Sequence, residues 1–279
     1  MSFSAHHLLS SRLLYLLLLC VSAAPSALQG EERVVEGLKY LAEYQEDDAH
    51  QQKRCQLSLY LPEKEQGFAT VVWFHGGGLT GGNPSIPAAL RGRGIAVAAA
   101  GYRLSPNVAA SVCIQDAAAA TAWVIKNIAS WGGDPKRVFV AGHSAGGYLT
   151  MMVGMDQRWL GEHQIKIGQI AGLIPFSGHA ITHFTVRKER GIADTTPIVD
   201  EFAPLFHVRR DLPPMLLITG DRKLELLARY EENAYLLGML QQVKHPDVEL
   251  HELGGFNHGQ MAEPAFPLLV RFIQRVSRE

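Results

Sequence analysis

A serine flanked by glycines lies where a predicted strand meets a predicted helix. The run VFVAGHSAGGYLTMM at 138–152 changes from strand-like to helix-like around the segment Gly-His-Ser-Ala-Gly. A G-x-S-x-G motif in this context is typical of a nucleophilic serine, here Ser144, held on a sharp turn. The N–H of Ala145, at the start of the helix, would point to where an oxyanion forms. The alternative is a tight turn without chemistry.

A glycine-rich run upstream could supply the remaining oxyanion donors. FHGGGLTGG at 74–82 follows an apolar run, and glycines allow backbone N–H groups to approach a substrate without interference from side chains. We expect Gly77 and Gly78 to be these donors, with His75 bracing the loop. A phosphate-binding loop is the rival interpretation, but the run lacks the Lys-Ser/Thr ending of a P-loop and the spacing of a dinucleotide fingerprint.

A histidine in the right chain position could act as general base. In proteins with this motif an acid and then a histidine follow the serine in the chain. His258 lies in GGFNHGQ at 254–260, after the last predicted strand and before the last predicted helix. His245 precedes that strand and His251 lies within it, so both are less well placed. The sequence therefore favours His258.

The acid that would orient this histidine is expected after the strand that ends in PMLLITG, within GDRKLELL at 220–227. Asp221, directly after the glycine, is the first choice, and Glu225 is the alternative. Asp247, at the start of the next strand, is the third candidate. Structural roles are also open: Asp221 could cap a helix, and Glu225 could be a solvated charge in a first helical turn.

Strand-like and helix-like segments alternate along the chain, which predicts an α/β protein with a mainly parallel sheet. We expect one domain over 31–279. The segment 179–213 is polar and weakly periodic, and we interpret it as a small lid or a surface connection. Predicted strands lie at 55–62, 69–75, 95–102, 137–142, 170–178, 214–220 and 247–253, and predicted helices at 111–131, 145–155, 223–243 and 264–276.

The N-terminal residues have the layout of a secretory signal peptide. SRLLYLLLLCVSAAPSA at 11–27 places Arg12 before a short apolar core that is followed by small residues. We expect a signal peptide at 1–24, with cleavage at about 23–30, and a secreted or periplasmic protein. An uncleaved anchor is the alternative. Of the remaining cysteines, Cys55 and Cys113, we expect two free thiols rather than a disulfide.

Charge and composition exclude other classes of protein. The formal net charge is −1 and no basic stripe is present, so nucleic-acid binding has no electrostatic support. The chain has 12 histidines, but none has metal-ligand spacing such as HExxH, and we expect no metal and no cofactor.

Three runs together are similar to a known family. VVWFHGGGLTGGN, GIAVAAAGYRLSP and DAAAATAWVIKNIASWGGDPKRVFVAGHSAGGYLTMM resemble α/β-hydrolase esterases, in particular the hormone-sensitive-lipase-like and the feruloyl- and acetyl-xylan-esterase-like carboxylesterases. The resemblance extends from about residue 55 to 276. It departs from the family in the acid loop, because many relatives carry the acid at the position that Lys223 occupies here.

This resemblance implies an α/β-hydrolase fold with at most a small cap. It implies a serine carboxylesterase that acts on short-chain or carbohydrate-linked esters, so its partner would be a small-molecule or polysaccharide substrate. The alternatives are an amide hydrolase of the aryl-formamidase kind, a serine peptidase of the same fold, and a catalytically inactive binding protein on the same scaffold. The oligomeric state and the identity of the ester are left open.

Overall fold

A computed structural model of the protein describes residues 33–63, 66–226 and 228–278, together with Met1. Within these residues the chain forms an eight-stranded sheet in the order β1-β2-β4-β3-β5-β6-β7-β8. In this order, β2 pairs antiparallel with both β1 and β4. The strands from β4 through β3 to β8 are parallel. The strands are β1 (Arg33–Lys39), β2 (Gln56–Leu61), β3 (Phe68–Phe74), β4 (Ala96–Ala100), β5 (Gly133–His143), β6 (Gly172–Phe176), β7 (Met215–Gly220) and β8 (Val248–Leu253).

Helices cover both faces of the sheet. One hydrophobic cluster joins the sheet to α2, α3 and α6, and a second joins the opposite face to α7, for example through Leu269 and Phe272. The helices are α1 (Ala49–Arg54), α2 (Ala110–Asn127), α3 (Ala145–Met155), α4 (Gln157–Gly161), α5 (Phe184–Glu189), α6 (Arg229–Gln242) and α7 (Ala262–Val276).

The burial of the strands explains their composition. All seven residues of β3 are buried, as expected for a parallel strand covered by helices on both faces, and so its sequence FATVVWF is almost continuously apolar. At the edge of the sheet β8 is only partly buried, and its sequence VELHEL alternates. The predicted α/β class with a mainly parallel sheet is therefore confirmed.

The predicted elements differ from the structure in several places. The strand β1 was not predicted, and β5 begins at Gly133, several residues earlier than expected. The helix predicted at 223–243 begins only at Arg229, because the residues before it form a loop at the end of β7.

Parallel pairing brings the carboxyl ends of the central strands to one edge of the sheet. The register places Phe74 of β3 beside Gly142 of β5, and His143 beside Phe176 of β6. The loops that follow these strands, and those that follow β7 and β8, therefore meet at this edge.

The predicted signal peptide at 1–24 and its cleavage region lie outside the described residues, apart from Met1. In the part of the chain that is described, no helix combines the length and apolar character needed to cross a membrane. Cys55 and Cys113 are both unpaired and buried, as predicted.

Candidate active site

Ser144 occupies a strained turn between β5 and α3. Its backbone has φ 58° and ψ −115°, a conformation that residues other than glycine rarely adopt and that is common at functional sites. Small neighbours make the turn possible: a Cβ on Gly146 would lie 2.0 Å from the carbonyl oxygen of Phe74, and one on Gly142 would lie 2.5 Å from that of Gly146. The N–H of Ser144 donates to the carbonyl of Phe176 at 2.8 Å, which fixes the turn to the neighbouring strand.

The loop between β8 and α7 brings His258 to this serine. His258 Nε2 lies 2.8 Å from Ser144 Oγ, within hydrogen-bond distance. His143, inside the G-x-S-x-G motif, holds the loop in place, because its Nε2–H donates to the carbonyl of His258 at 2.8 Å. Burial, and then the nearby His258, lower the pKa of His143 to about 4. His143 is therefore neutral near pH 7 and acts as a hydrogen-bond donor to the loop.

A carboxylate completes the line of hydrogen bonds on the far side of His258. Glu225 Oε2 lies 2.8 Å from His258 Nδ1, and the Glu225 side chain is only 1% exposed. Its other oxygen accepts hydrogen bonds from Ser177 Oγ at 2.6 Å and from the Gly220 N–H at 2.9 Å. Burial raises the pKa of Glu225, but the hydrogen bonds from His258, Ser177 and Gly220 outweigh it and hold the pKa at about 2. Glu225 is therefore ionised at neutral pH.

The structure places Asp221, the first choice for the acid, away from the His258 ring and brings the alternative, Glu225, to it. Its carboxylate accepts the N–H of Lys223 at 2.9 Å and the N–H of Gly255 at 2.8 Å, near the surface. Its backbone carbonyl accepts the N–H of Leu224 and that of Glu225, both at 2.8 Å. Asp221 thus closes a turn that precedes α6. This turn directs the side chain of Glu225, which is longer than that of an aspartate, back toward His258.

Ser177 is a site residue that the sequence analysis missed. It follows β6 directly, is fully buried and has φ 49°. Its hydroxyl lies between Glu225 Oε1, to which it donates, and His258 Nδ1 at 3.1 Å. A polar residue directly after a buried parallel strand, followed by a glycine, was the signal that could have identified it.

The glycine run after β3 presents backbone N–H groups near the serine. Gly77 and Gly78 have φ 117° and 64°, and no described residue accepts a hydrogen bond from either N–H. A Cβ on Gly78 would lie 2.9 Å from the ring of Phe184, and the Gly78 carbonyl accepts the Thr185 hydroxyl at 2.5 Å. The third predicted donor, Ala145, is the first residue of α3, where amides have no partner within the helix.

His75 braces this loop, as expected from the sequence. It is buried, and its ring stacks on Tyr102 with 4.4 Å between ring centroids. The Tyr102 hydroxyl donates to the carbonyl of His75 at 2.9 Å. Burial lowers the pKa of His75 to about 4, so it too is neutral near pH 7.

A cavity of about 470 Å³ is lined by residues that neighbour the glycine loop and Glu225. Part of the segment 179–213 forms one wall, including Phe184, which touches the Gly78 position. Leu226, which follows Glu225, forms part of the opposite wall. The cavity is therefore bounded by residues next to the predicted oxyanion donors and next to the acid.

Comparison with known proteins agrees with this architecture. A family model described as the α/β-hydrolase fold matches residues 71–201, which include the glycine run and the G-x-S-x-G turn. This chain has the α/β-hydrolase fold. The fold that the resemblance implied is thereby confirmed.

Among curated proteins, this chain is similar to a probable isoprenylcysteine alpha-carbonyl methylesterase from Oryza sativa subsp. japonica, with 34% identity over 46% of this chain and 32% of the relative. It is also similar to the carboxylesterase NlhH of Mycobacterium tuberculosis, with 36% identity over 50% of this chain and 46% of the relative. The match thus spans less than half the length of each of these relatives.

Among solved structures, a truncated form of a carbohydrate esterase from gut microbiota superposes with a TM-score of 0.73. The superposition covers 91% of this chain and 99% of that one, at 18% identity. At that identity the likeness shows the shared fold alone.

Proposed function

We propose that this α/β-hydrolase is a serine carboxylesterase. One observation carries the proposal: an unbroken line of hydrogen bonds runs from Ser144 Oγ through the His258 ring to the Glu225 carboxylate, beside backbone N–H groups without acceptors. The names of the two relatives, a methylesterase and a carboxylesterase, support the same reaction class.

The proposed reaction transfers an acyl group in two steps. His258 Nε2 removes the proton of Ser144 Oγ, which attacks the ester carbonyl carbon and forms a tetrahedral intermediate. His258 then returns the proton to the leaving alkoxide, and the C–O ester bond breaks to leave an acyl-enzyme. Water, deprotonated by the same histidine, hydrolyses the acyl-enzyme and regenerates the serine.

Two sets of groups stabilise the charges that develop in these steps. The N–H groups of Gly77, Gly78 and Ala145 would hold the oxyanion, and each such donor typically contributes on the order of 3 kcal/mol to transition-state stabilisation. Glu225 orients the imidazole and stabilises the imidazolium without taking the proton itself. None of these steps calls on a metal or a cofactor.

The size of the adjoining cavity supports small substrates. We propose short-chain or carbohydrate-linked carboxylic esters, with the segment 179–213 acting as a small lid over the acyl or alcohol group. An amide hydrolase of the aryl-formamidase kind would use the same groups. Comparing an aryl formate ester with the corresponding formanilide distinguishes the two activities.

We also propose that the protein is exported. The proposal depends on the apolar segment after Arg12 and the small residues that follow it. Expression of the full chain followed by N-terminal sequencing of the exported protein should give a start within about residues 23–30. Retention of the whole segment in the cell membrane would support an anchor instead.

The test of the catalytic proposal is hydrolysis of 4-nitrophenyl butyrate by purified Ser144→Ala. Loss of the nucleophile should lower kcat by about five to six orders of magnitude while the circular dichroism spectrum is retained. Ser130→Ala is the matched control, because Ser130 is an exposed serine bonded only to the Asn127 carbonyl, and it should leave kcat unchanged. Turnover by Ser144→Ala near that of the unmodified protein would overturn the proposal.

A further inference from the structure

The cavity lined by Phe184 and Leu226 combines apolar walls with buried charged groups. Ile181, Phe184, Pro197 and Leu226 contribute the apolar surface. Two arginines also line the cavity, Arg187 at 3% exposure and Arg229 at 2%. Burying a guanidinium group costs free energy unless a carboxylate or several other acceptors bind it. The partners of each arginine therefore indicate which kind of ligand the cavity can bind.

Arg187 has few partners for a buried cation. It lies on α5, and its Nη1 donates to the carbonyls of Asp194 at 2.7 Å and Thr196 at 2.8 Å. Its Nε is buried and has no hydrogen-bond partner among the described residues. No described carboxylate forms an ion pair with Arg187. The charge of Arg187 is therefore met only by two neutral carbonyl oxygens.

The other charged groups of the cavity are already engaged or face outward. Glu232 accepts hydrogen bonds from His179 at 3.0 Å and from the Ala180 N–H at 2.9 Å. Arg229 donates to the carbonyl of Ser177 and also has a buried Nε without a partner among the described residues. The nearby Glu232 and Glu225 nevertheless favour its charged form, although burial lowers its pKa. Asp194 is exposed at the rim. Arg187 is thus the cation of the cavity that most lacks a negative partner.

The position of Arg187 relative to the reaction centre follows from its neighbours on α5. Phe184, three residues earlier and so on the adjacent turn of the helix, contacts the Gly78 position of the oxyanion loop. Thr185 donates to the carbonyl of Gly78. Phe184 and Thr185 therefore connect the oxyanion loop with the part of α5 that carries Arg187 into the cavity wall.

We propose that the cavity selects esters that carry a carboxylate at the end of an apolar chain, and that Arg187 binds this carboxylate. The inference rests on the proposed esterase function and specifies its substrate class. A carboxylate would supply the missing negative charge and accept hydrogen bonds from the planar guanidinium. A neutral ester cannot offer this combination. The apolar walls would bury the chain between the carboxylate and the ester group.

The experiment compares matched anionic and neutral substrates. For the acyl side, 4-nitrophenyl monoesters of glutaric, adipic and suberic acid are compared with the corresponding terminal amides. For the alcohol side, 4-carboxyphenyl butyrate is compared with 4-carbamoylphenyl butyrate. We expect kcat/KM for the anionic member to exceed that of its neutral partner by about tenfold or more on one of the two sides. The chain length with the highest ratio would report the span from Ser144 to Arg187.

Variants of Arg187 test the assignment of the residue. In Arg187→Gln the anionic-to-neutral ratio of kcat/KM should fall to near one, and in Arg187→Lys it should be intermediate, because lysine keeps the charge but not the planar fork. Lys188→Gln is the control, since Lys188 is the exposed neighbour on the same helix, and it should leave the ratio unchanged. An unfolded fraction of a variant lowers kcat/KM for the anionic and the neutral ester by the same factor. It therefore leaves their ratio unchanged.

Two outcomes would overturn the inference. One is a ratio at or below one in the unmodified protein for both the acyl and the alcohol series. The other is a high ratio that Arg187→Gln leaves unchanged. If neither the anionic nor the neutral esters were hydrolysed, the proposed esterase function itself would fail instead.

Discussion

The turn after β5 and the loop after β7 both end parallel strands at the same edge of the sheet, but they present their functional groups in different ways. After β5 the chain enters α3 at once, so Ser144 is fixed by the backbone of its own neighbours and by glycines that leave no room for side chains. After β7 the helix is delayed until Arg229, and Glu225 is held by contacts with Ser177, Gly220 and His258.

This difference explains why Ser144 could be identified from the sequence, whereas Glu225 was only the alternative choice for the acid. A turn that is determined by its own residues leaves a local motif, which the G-x-S-x-G segment displays. A carboxylate that is positioned by three other segments leaves no such motif, and the sequence favours Asp221 over Glu225. Four experiments test this contrast.

The largest effect in the acid loop should come from Glu225→Gln. Loss of the charge that orients His258 should lower kcat by about three to four orders of magnitude. Asp221→Asn is the matched comparison, because Asp221 closes the turn without touching His258, and its kcat should fall by less than about tenfold. Steady-state hydrolysis of 4-nitrophenyl butyrate measures both, and the reverse ranking would refute the assignment of Glu225.

A smaller effect is expected in the glycine run. Gly78→Ala places a Cβ 2.9 Å from Phe184 and should displace an oxyanion donor, lowering kcat by about a hundredfold. Gly67→Ala is the control, since Gly67 has a similar φ of 67° but open space around its Cβ position, and it should cost stability without lowering kcat. Equal kcat values for the two variants would argue against an oxyanion role for this loop.

Ser177→Ala should have a moderate effect, about a tenfold decrease in kcat with little change in KM, because Glu225 loses one of its hydrogen bonds. If Ser177 acts through Glu225, the effect should disappear when the substitution is made in the Glu225→Gln background. Ser105→Ala removes another buried serine that donates to a glutamate and serves as a control for packing. Additive losses in the double variant would contradict positioning through Glu225.

The smallest effect is on the pH dependence of stability. The pKa of Glu225 is about 2 in the folded protein, below its ordinary value of 4.5, so its ionised form stabilises the fold above pH 4.5. This contribution, up to about 3 kcal/mol, should be lost as the pH falls from 4.5 toward 2. Urea unfolding should therefore show the free-energy difference between the unmodified protein and Glu225→Gln shrinking over this range. A difference that does not change with pH would contradict the hydrogen bonding of Glu225.

Most of the fold could be predicted from the sequence because buried parallel strands such as FATVVWF have a distinctive composition. The strand β1 was missed because only Val35 and Leu38 are even partly buried, which leaves little hydrophobic pattern. For the site, the serine and histidine candidates were identified from motif and chain order. The acid depends on tertiary contacts across β6, β7 and the β8–α7 loop, which no local pattern encodes. Ser177 leaves only one local signal, a polar residue between a buried strand and a glycine.

The central claim, that Ser144 is a nucleophile activated by the His258–Glu225 pair, is tested most directly by covalent labelling with a fluorophosphonate. Peptide mapping by mass spectrometry should locate a single adduct on Ser144, formed much more slowly in Glu225→Gln and absent from Ser144→Ala. An adduct on another residue, or the absence of any adduct on a protein that hydrolyses esters, would contradict the claim.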